Sequence, residues 1–179
     1  MTREQANNKN ANPNYGKGLE YSLNCQSCVI AFEARLRGYN VCAKPNYKLP
    51  NSTAVNLARN QSLAWKHNVT GFRPSFKISI EQGASLYNWL QKEVKKGQRF
   101  TFGYRYLGKN GNQLGHIVCI DRTVKNQLRM YDPQVGKTYI SGDIRRFIQS
   151  RGIIKSKLLR IDNCTFNIDL VEDVVEKLK

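Results

Sequence analysis

The chain has 179 residues, of which 40% are hydrophobic and 10% aromatic, so it is long and apolar enough to bury a globular core. Lys and Arg number 29 against 13 Asp and Glu, which gives a net charge of +16. This charge attracts anionic partners such as nucleic acid, a membrane surface or an acidic protein, or it serves solubility alone. No apolar run reaches the roughly 18 residues that a membrane-spanning helix needs, so no membrane span is expected.

The N-terminal segment is polar and rich in asparagine. Residues 1–18 therefore predict a flexible lead-in, followed by one folded domain over residues 19–179. The segment has no apolar stretch of the kind found in secretory signals, so no signal peptide is expected in this chain. Export from the producing cell is then expected by another route, or as part of a longer chain.

Two helices are predicted in the first half of the chain. The first runs from Cys25 to Arg37, with Asn24 as its N-cap and Gly38 as its C-terminal stop. Its apolar stripe consists of Cys28, Val29, Phe32 and Leu36. The second lies in "SIEQGASLYNWLQKEVKKG", and its apolar face consists of Leu86, Trp89, Leu90 and Val94.

The hydrophobic period then changes from helical to alternating. Strands are predicted over 99–107, 115–121 and 127–132, the last two joined by a turn and pairing antiparallel. A short helix over 141–150, another strand, and a closing helix over 169–179 follow. This order predicts an α+β fold in which helices pack on an antiparallel sheet.

Five cysteines occur, and three of them stand alone. An odd count without pairing is not typical of a disulfide-stapled secreted domain. Only Cys25 and Cys28 are close in sequence. A zinc site there is not favoured, because a second ligand pair is absent and the only histidines are His67 and His116. We therefore expect neither a metal nor a cofactor.

Cys25 is the stronger candidate for a nucleophile. It lies at the start of the predicted helix, where unpaired N–H groups and the positive end of the helix dipole stabilise a thiolate. Cys28 lies one turn deeper, on the apolar stripe, and is the better core residue. Alternatively, both cysteines are simply buried as small hydrophobic residues.

A histidine and a carboxylate complete a candidate triad. His116 opens the strand 115–121, where it can face a cleft and act as the base for a cysteine. Asp132 ends the next strand, and antiparallel pairing brings the two near the same end of the sheet, where the carboxylate can orient the imidazole. Gln134 can replace or assist Asp132. The alternatives are a solvent-facing turn histidine and an Asp-Pro turn.

The motifs "NCQSCVIAFEARLRGYNV", "GHIVCID" and "MYDPQVG" together resemble the papain-fold toxin domains of bacterial polymorphic toxin systems, which are glutamine deamidases. Residues 21–136 carry this pattern in the same order. The resemblance implies a papain-like catalytic domain, with Cys25 as nucleophile, His116 as base and Asp132 as the orienting acid. Asn24 is part of the Asn-Cys element, and its amide is a candidate supporting group in the same site.

The resemblance leaves the choice of cysteine open. Papain-like proteases carry a similar Cys-x-x-Cys in which the second cysteine attacks, and this would make Cys28 the nucleophile. The rest of that protease pattern is missing, since no Gly follows Cys25, no Trp follows Cys28 and no Gln precedes the pair. Cys25 is therefore favoured.

The resemblance further implies a protein substrate, delivery as an effector domain into the cytoplasm of a target cell, and an acidic immunity protein that protects the producer. A cysteine protease or a transglutaminase-like enzyme can use the same site. A different class of function is a non-catalytic, basic nucleic-acid-binding module that stacks bases on the aromatics of "RFTFGYRYL", although no RNA-binding motif is present. An inert structural domain of a larger protein explains the fold but not the three polar residues.

Overall fold

The structure is a computed structural model that describes residues 1–178, and the chain divides into two units. Unit 1 consists of residues 1–74, 132–137 and 163 to the end of the described chain. Unit 2 consists of residues 75–131 and 138–162.

Within residues 1–178 the elements are six α-helices, ten strands and two short 3-10 helices at Leu19–Tyr21 and Gln61–Ala64. The helices are α1 (Arg3–Asn7), α2 (Cys25–Leu36), α3 (Thr53–Arg59), α4 (Gly83–Glu93), α5 (Gly142–Arg151) and α6 (Ile168–Val171). The strands are β1 (Val41–Ala43), β2 (Trp65–His67), β3 (Lys77–Ser79), β4 (Arg99–Leu107), β5 (Gln113–Arg122), β6 (Leu128–Asp132), β7 (Lys137–Ile140), β8 (Ile153–Arg160), β9 (Cys164–Phe166) and β10 (Val175–Lys177).

A six-stranded sheet with the order β3-β8-β4-β5-β6-β7 forms the centre of unit 2. β4 pairs antiparallel with both β5 and β8, and β5 pairs antiparallel with β6, with Cys119 opposite Tyr131. Alternate side chains of β4 enter the core, which α4 and α5 complete with Leu86, Leu90 and Ile148. The predicted alternation of 99–107 and the predicted pairing of the next two strands are both confirmed.

Helix α2 is the central element of unit 1. It starts at Cys25 as predicted and ends at Leu36, one residue before the predicted end. Gly38 adopts φ +100°, a left-handed conformation that only glycine takes at low cost, and the N–H of Tyr39 closes the last turn on the carbonyl of Ala34 at 3.1 Å. Most of the helix is buried, so it provides a rigid support for its first residue.

The segment predicted to be a flexible lead-in contains regular structure. Arg3–Asn7 form α1, which begins with a reciprocal capping box between Thr2 and Gln5. Ala6 and Ala11 are fully buried, and the carbonyl of Ala6 accepts a hydrogen bond from the guanidinium of Arg35. Small apolar side chains and backbone acceptors therefore fix a segment whose composition is typical of disorder. The division into 1–18 and 19–179 stays a prediction.

The prediction of a closing helix over 169–179 is wrong for the described part of that range. α6 ends at Val171, and Val175–Lys177 form β10, which pairs antiparallel with β1. The valines have a helical spacing, but β-branched side chains also suit a strand, and the backbone of β1 offers hydrogen-bond partners that no local pattern reveals. Lys179 lies outside the described residues.

The α+β class with an antiparallel sheet is confirmed by this arrangement. None of the helices found in residues 1–178 has the length and apolar character required to cross a membrane.

Candidate active site

The start of α2 presents one accessible sulfur. Cys25 is its first residue, and its side chain is partly exposed. Within residues 1–178 the backbone N–H groups of Cys25, Gln26 and Ser27 have no hydrogen-bond acceptor. Three unpaired donors and the helix dipole favour negative charge at this position. The helix start can therefore stabilise both a thiolate and an oxyanion that forms next to it.

Cys28 occupies a different environment one turn further along α2. Its side chain is 0% exposed, and its Sγ donates to Asn24 Oδ1 at 3.3 Å. A substrate carbonyl cannot reach this sulfur without displacing the residues that cover it. Its position corresponds to the core residue expected from the apolar stripe.

Asn24 occupies the N-cap position of α2, but its side chain does not cap the helix. Instead, Asn24 Nδ2 donates to Asn12 Oδ1 at 3.2 Å and to the carbonyl of Lys44 at 3.1 Å. Its Oδ1 accepts from Asn12 Nδ2 and from Gln134 Nε2, both at 3.4 Å. We call Asn12, Asn24 and Gln134 the amide cluster. The predicted N-cap position is thus confirmed, but the side-chain capping bond is not formed, and this leaves the N–H groups of the helix start available.

Asp132 and Gln134 are both buried in unit 1, and both are joined to neighbouring structure. Asp132 Oδ1 accepts the backbone N–H of Gln134 at 3.2 Å, across Pro133. The Asp-Pro turn that was the alternative interpretation of Asp132 is therefore present. Because the Gln134 side chain binds Asn24, the turn after β6 is connected to the residue that precedes Cys25.

His116 belongs to unit 2. It lies on β5, opposite Tyr104 of β4, and it is partly exposed. The two rings meet edge to face, with centroids 5.7 Å apart and planes at 76°. This contact and the strand backbone restrict the orientation of the imidazole.

Unit 1 thus contains Asn24, Cys25, Cys28, Asp132 and Gln134, whereas unit 2 contains His116. Sequence reasoning missed Asn12, which lies in the polar N-terminal segment and is 2% exposed. No periodicity or motif distinguishes it from the exposed asparagines around it. Within residues 1–178 no group of three or more His, Cys, Asp or Glu side chains could hold a metal ion.

We expect Asn24→Ala to destabilise the fold by about 2–3 kcal/mol, because it leaves several buried donors and acceptors without partners. Thermal and denaturant unfolding measure the change. Asn12→Ala should cost a similar amount, and the double variant should cost less than the sum because both belong to one network. Asn10→Ala, which removes an exposed asparagine from the same segment, is the matched control. Equal stabilities of the Asn10 and Asn24 variants contradict this prediction.

Comparison with known proteins places this chain in a family. The crystal structure of the Pseudomonas avirulence protein AvrPphB aligns with a TM-score of 0.44 and 12% sequence identity, over 86% of this chain and 94% of that chain. No curated protein matches this chain. The sequence profile of the family described as "Papain fold toxin 1, glutamine deamidase" matches residues 23–137, more than half of the chain. The resemblance seen in the sequence motifs is confirmed: this chain belongs to the papain-fold toxin 1 family of glutamine deamidases, and is a cysteine-nucleophile hydrolase with a papain-like fold.

Proposed function

We propose that this toxin domain hydrolyses the side-chain amide of glutamine in a target protein, with Cys25, His116 and Asp132 as a catalytic triad. The observation that carries the proposal is the start of α2, where a partly exposed thiol adjoins three unpaired backbone N–H groups. Family membership indicates the reaction class, and the groups at the start of α2 suit the nucleophile and the oxyanion of that reaction.

The choice of Cys25 over Cys28 rests on access and charge. Cys25 is partly exposed at the positive end of the helix dipole, whereas Cys28 is fully buried and donates its S–H to Asn24. A nucleophile must reach the carboxamide carbon, and its anion needs stabilisation. Cys25 meets both requirements.

Assignment of His116 and Asp132 is supported by the strand pairing. β5 and β6 are antiparallel, with Cys119 opposite Tyr131, so the first half of β5 lies toward the end of the sheet at which β6 ends. His116 lies in that half of β5, and Asp132 is the last residue of β6. A carboxylate holds the imidazole tautomer and stabilises the imidazolium better than a neutral amide does. The Gln134 side chain is bound to Asn24, which favours Asp132 for this role.

In the proposed reaction His116 accepts the proton of the Cys25 thiol, and the sulfur attacks the carboxamide carbon. The C=O electron pair moves to oxygen, and the N–H groups at the start of α2 bind the resulting oxyanion. The C–N bond then breaks, His116 gives its proton to the nitrogen, and ammonia leaves. Water, deprotonated by His116, attacks the thioester, and the products are glutamate and the free thiol.

A different acyl donor or a different acceptor leads to another reaction at the same site. A backbone amide in place of the side-chain amide gives proteolysis, and a lysine amine in place of water gives a cross-link. The nucleic-acid-binding alternative loses its main support, because Phe100, Phe102 and Tyr104 are buried in the core and cannot stack on bases.

The proposal includes the place of action and a partner. Target-protein deamidation in the cytoplasm of a recipient cell requires delivery of the domain as an effector, and the producer needs protection from it. An acidic immunity protein suits a chain whose net charge is +16.

Intact-mass spectrometry of a candidate target protein tests the reaction class. Deamidation raises the mass by about one unit for each glutamine, proteolysis splits the chain, and transglutamination joins two chains. We expect the first result together with release of ammonia, and none of these changes with a Cys25→Ala variant. Cleavage or cross-linking without the small mass increase contradicts the proposal.

A further inference from the structure

Unit 1 contains a groove of about 380 Å³ between the segment 45–54 and Asp173. Its lining is partly polar, with amide and hydroxyl groups from Asn46, Asn51 and Thr53. Among the described lining residues, Asp173 supplies the one charged side chain. We call this the unit 1 groove.

The lining also includes two exposed apolar side chains. Tyr47 is 64% and Leu49 60% exposed. Lys48, between them, has φ +54°, a left-handed conformation that costs a lysine about 1 kcal/mol. The loop keeps this conformation because the N–H of Lys48 donates to Asn46 Oδ1 at 2.9 Å. The loop therefore holds two neighbouring apolar side chains at the surface of the groove.

Hydrogen bonds connect this groove to the residues just before Cys25. Asn46 Nδ2 donates to the carbonyl of Leu23 at 3.1 Å, and Asn24 Nδ2 donates to the carbonyl of Lys44 at the same distance. Leu23 is two residues before Cys25, so at most about 7 Å of chain separates their Cα atoms. The Asn46 side of the groove is therefore joined directly to the segment that leads into the proposed nucleophile.

Hydrogen bonds also join Asp173 and its neighbour Glu172 to the segment 44–53. Asp173 Oδ2 accepts from the hydroxyl of Thr53 at 2.6 Å, and Lys44 Nζ donates to the carbonyl of Glu172 at 2.8 Å. Each carboxylate oxygen offers two lone pairs, so one hydrogen bond leaves most of the accepting capacity of Asp173 unused. In a chain of net charge +16, this carboxylate attracts a cation that most of the surface repels.

We propose that the unit 1 groove binds an extended segment of the substrate protein beside the target glutamine. An apolar side chain of that segment packs on Tyr47 and Leu49, and a lysine or arginine binds Asp173. This inference rests on the proposed function, because it assigns a sequence preference to the same reaction.

Synthetic nine-residue peptides with one central glutamine provide the test. One peptide carries leucine and lysine within three residues of the glutamine, the second carries leucine and glutamate, and the third carries only glycine and serine. Deamidation by the wild-type chain is followed by mass spectrometry, and binding of labelled peptides to the Cys25→Ala variant is followed by fluorescence anisotropy. We expect the leucine–lysine peptide to exceed the glycine–serine peptide roughly tenfold in kcat/KM and in affinity, the effect of burying one or two small apolar contacts.

Variants of the groove decide whether it is the source of this preference. In a Tyr47→Ser, Leu49→Ser double variant, the ratio between the leucine–lysine and glycine–serine peptides should fall toward one. Asp173→Asn should remove the preference for lysine over glutamate. Val69→Ser, which changes a side chain 87% exposed elsewhere in unit 1, is the matched control and should keep both ratios.

Absence of a preference in the wild-type chain, or a preference that persists in the groove variants, overturns the groove proposal while leaving the proposed reaction intact. If the wild-type chain deamidates no peptide, the proposed function fails for these substrates. In that case, fluorescence anisotropy with the Cys25→Ala variant still tests whether the groove binds peptides. Selective binding that the groove substitutions abolish supports the groove proposal, and unselective binding or no binding overturns it.

Discussion

Replacing Cys25 with alanine should lower the rate of ammonia release from a glutamine substrate by at least about 10⁴-fold, because members of a catalytic triad act as a unit and the sulfur forms the covalent intermediate. The backbone N–H groups at the start of α2 remain, so substrate affinity should change little. Single-turnover kinetics with a glutamine peptide, followed by ammonia detection and mass spectrometry, measure the loss.

Cys28→Ala is the matched control, since it removes the other thiol of the same helix. We expect it to stay within about tenfold of the wild-type rate, and to lower the free energy of unfolding by about 1 kcal/mol through the lost hydrogen bond to Asn24. The reverse pattern, with an inactive Cys28 variant and an active Cys25 variant, assigns the nucleophile to Cys28. Wild-type rates in both variants rule out a thiol mechanism.

His116→Ala should cost about as much activity as Cys25→Ala, and the double variant should be no worse than either single variant. Asp132→Asn should reduce the rate by about 10²–10⁴-fold, because the imidazole loses the carboxylate that orients it and stabilises its charged form. The rate of Cys25 alkylation by iodoacetamide at mildly acidic pH provides a second measurement. It should fall in the His116 variant, since an imidazolium partner favours the thiolate.

His67→Ala is the matched control for the histidine. Its ring lies on β2 in unit 1, where Nδ1 accepts the backbone N–H of Val69 at 3.3 Å, and it has no role in the proposed reaction. Circular dichroism checks that each variant is folded, which matters for His116 because its ring contacts Tyr104. A His116→Ala variant that keeps both the rate and the alkylation behaviour of the wild-type chain removes His116 from the mechanism.

Local patterns predicted the elements that present the candidate residues. The spacing of apolar residues after Asn24 placed a helix that begins at Cys25, and Gly38 marked its end. Alternation over 99–107, and the turn between the next two strands, predicted β4, β5 and β6 with the correct pairing. Each of these signals lies within about twenty residues, the range over which helix and hairpin preferences act.

Long-range partners decided the features that the sequence patterns missed. The side chain of Asn24 was expected to cap α2. Instead, it forms hydrogen bonds with Asn12 and Gln134, which are 12 and 110 residues away in the chain. The valines near the C-terminus were expected to form a helix, but pairing with β1 makes Val175–Lys177 a strand. In both places hydrogen bonds with distant residues outweigh a local preference, for capping or for helix, that is worth about 1 kcal/mol.

The amino-acid sequence alone is enough to assign the family, the helix that starts at Cys25 and the strands that carry His116 and Asp132, and so to name the candidates for catalysis. The apolar stripe also favoured Cys28 as the core residue, but the accessibility of Cys25 and the unpaired N–H groups at the start of α2 became known from the folded structure. Periodicity encodes which face of an element is apolar, whereas accessibility and hydrogen-bond satisfaction depend on residues far away in the chain.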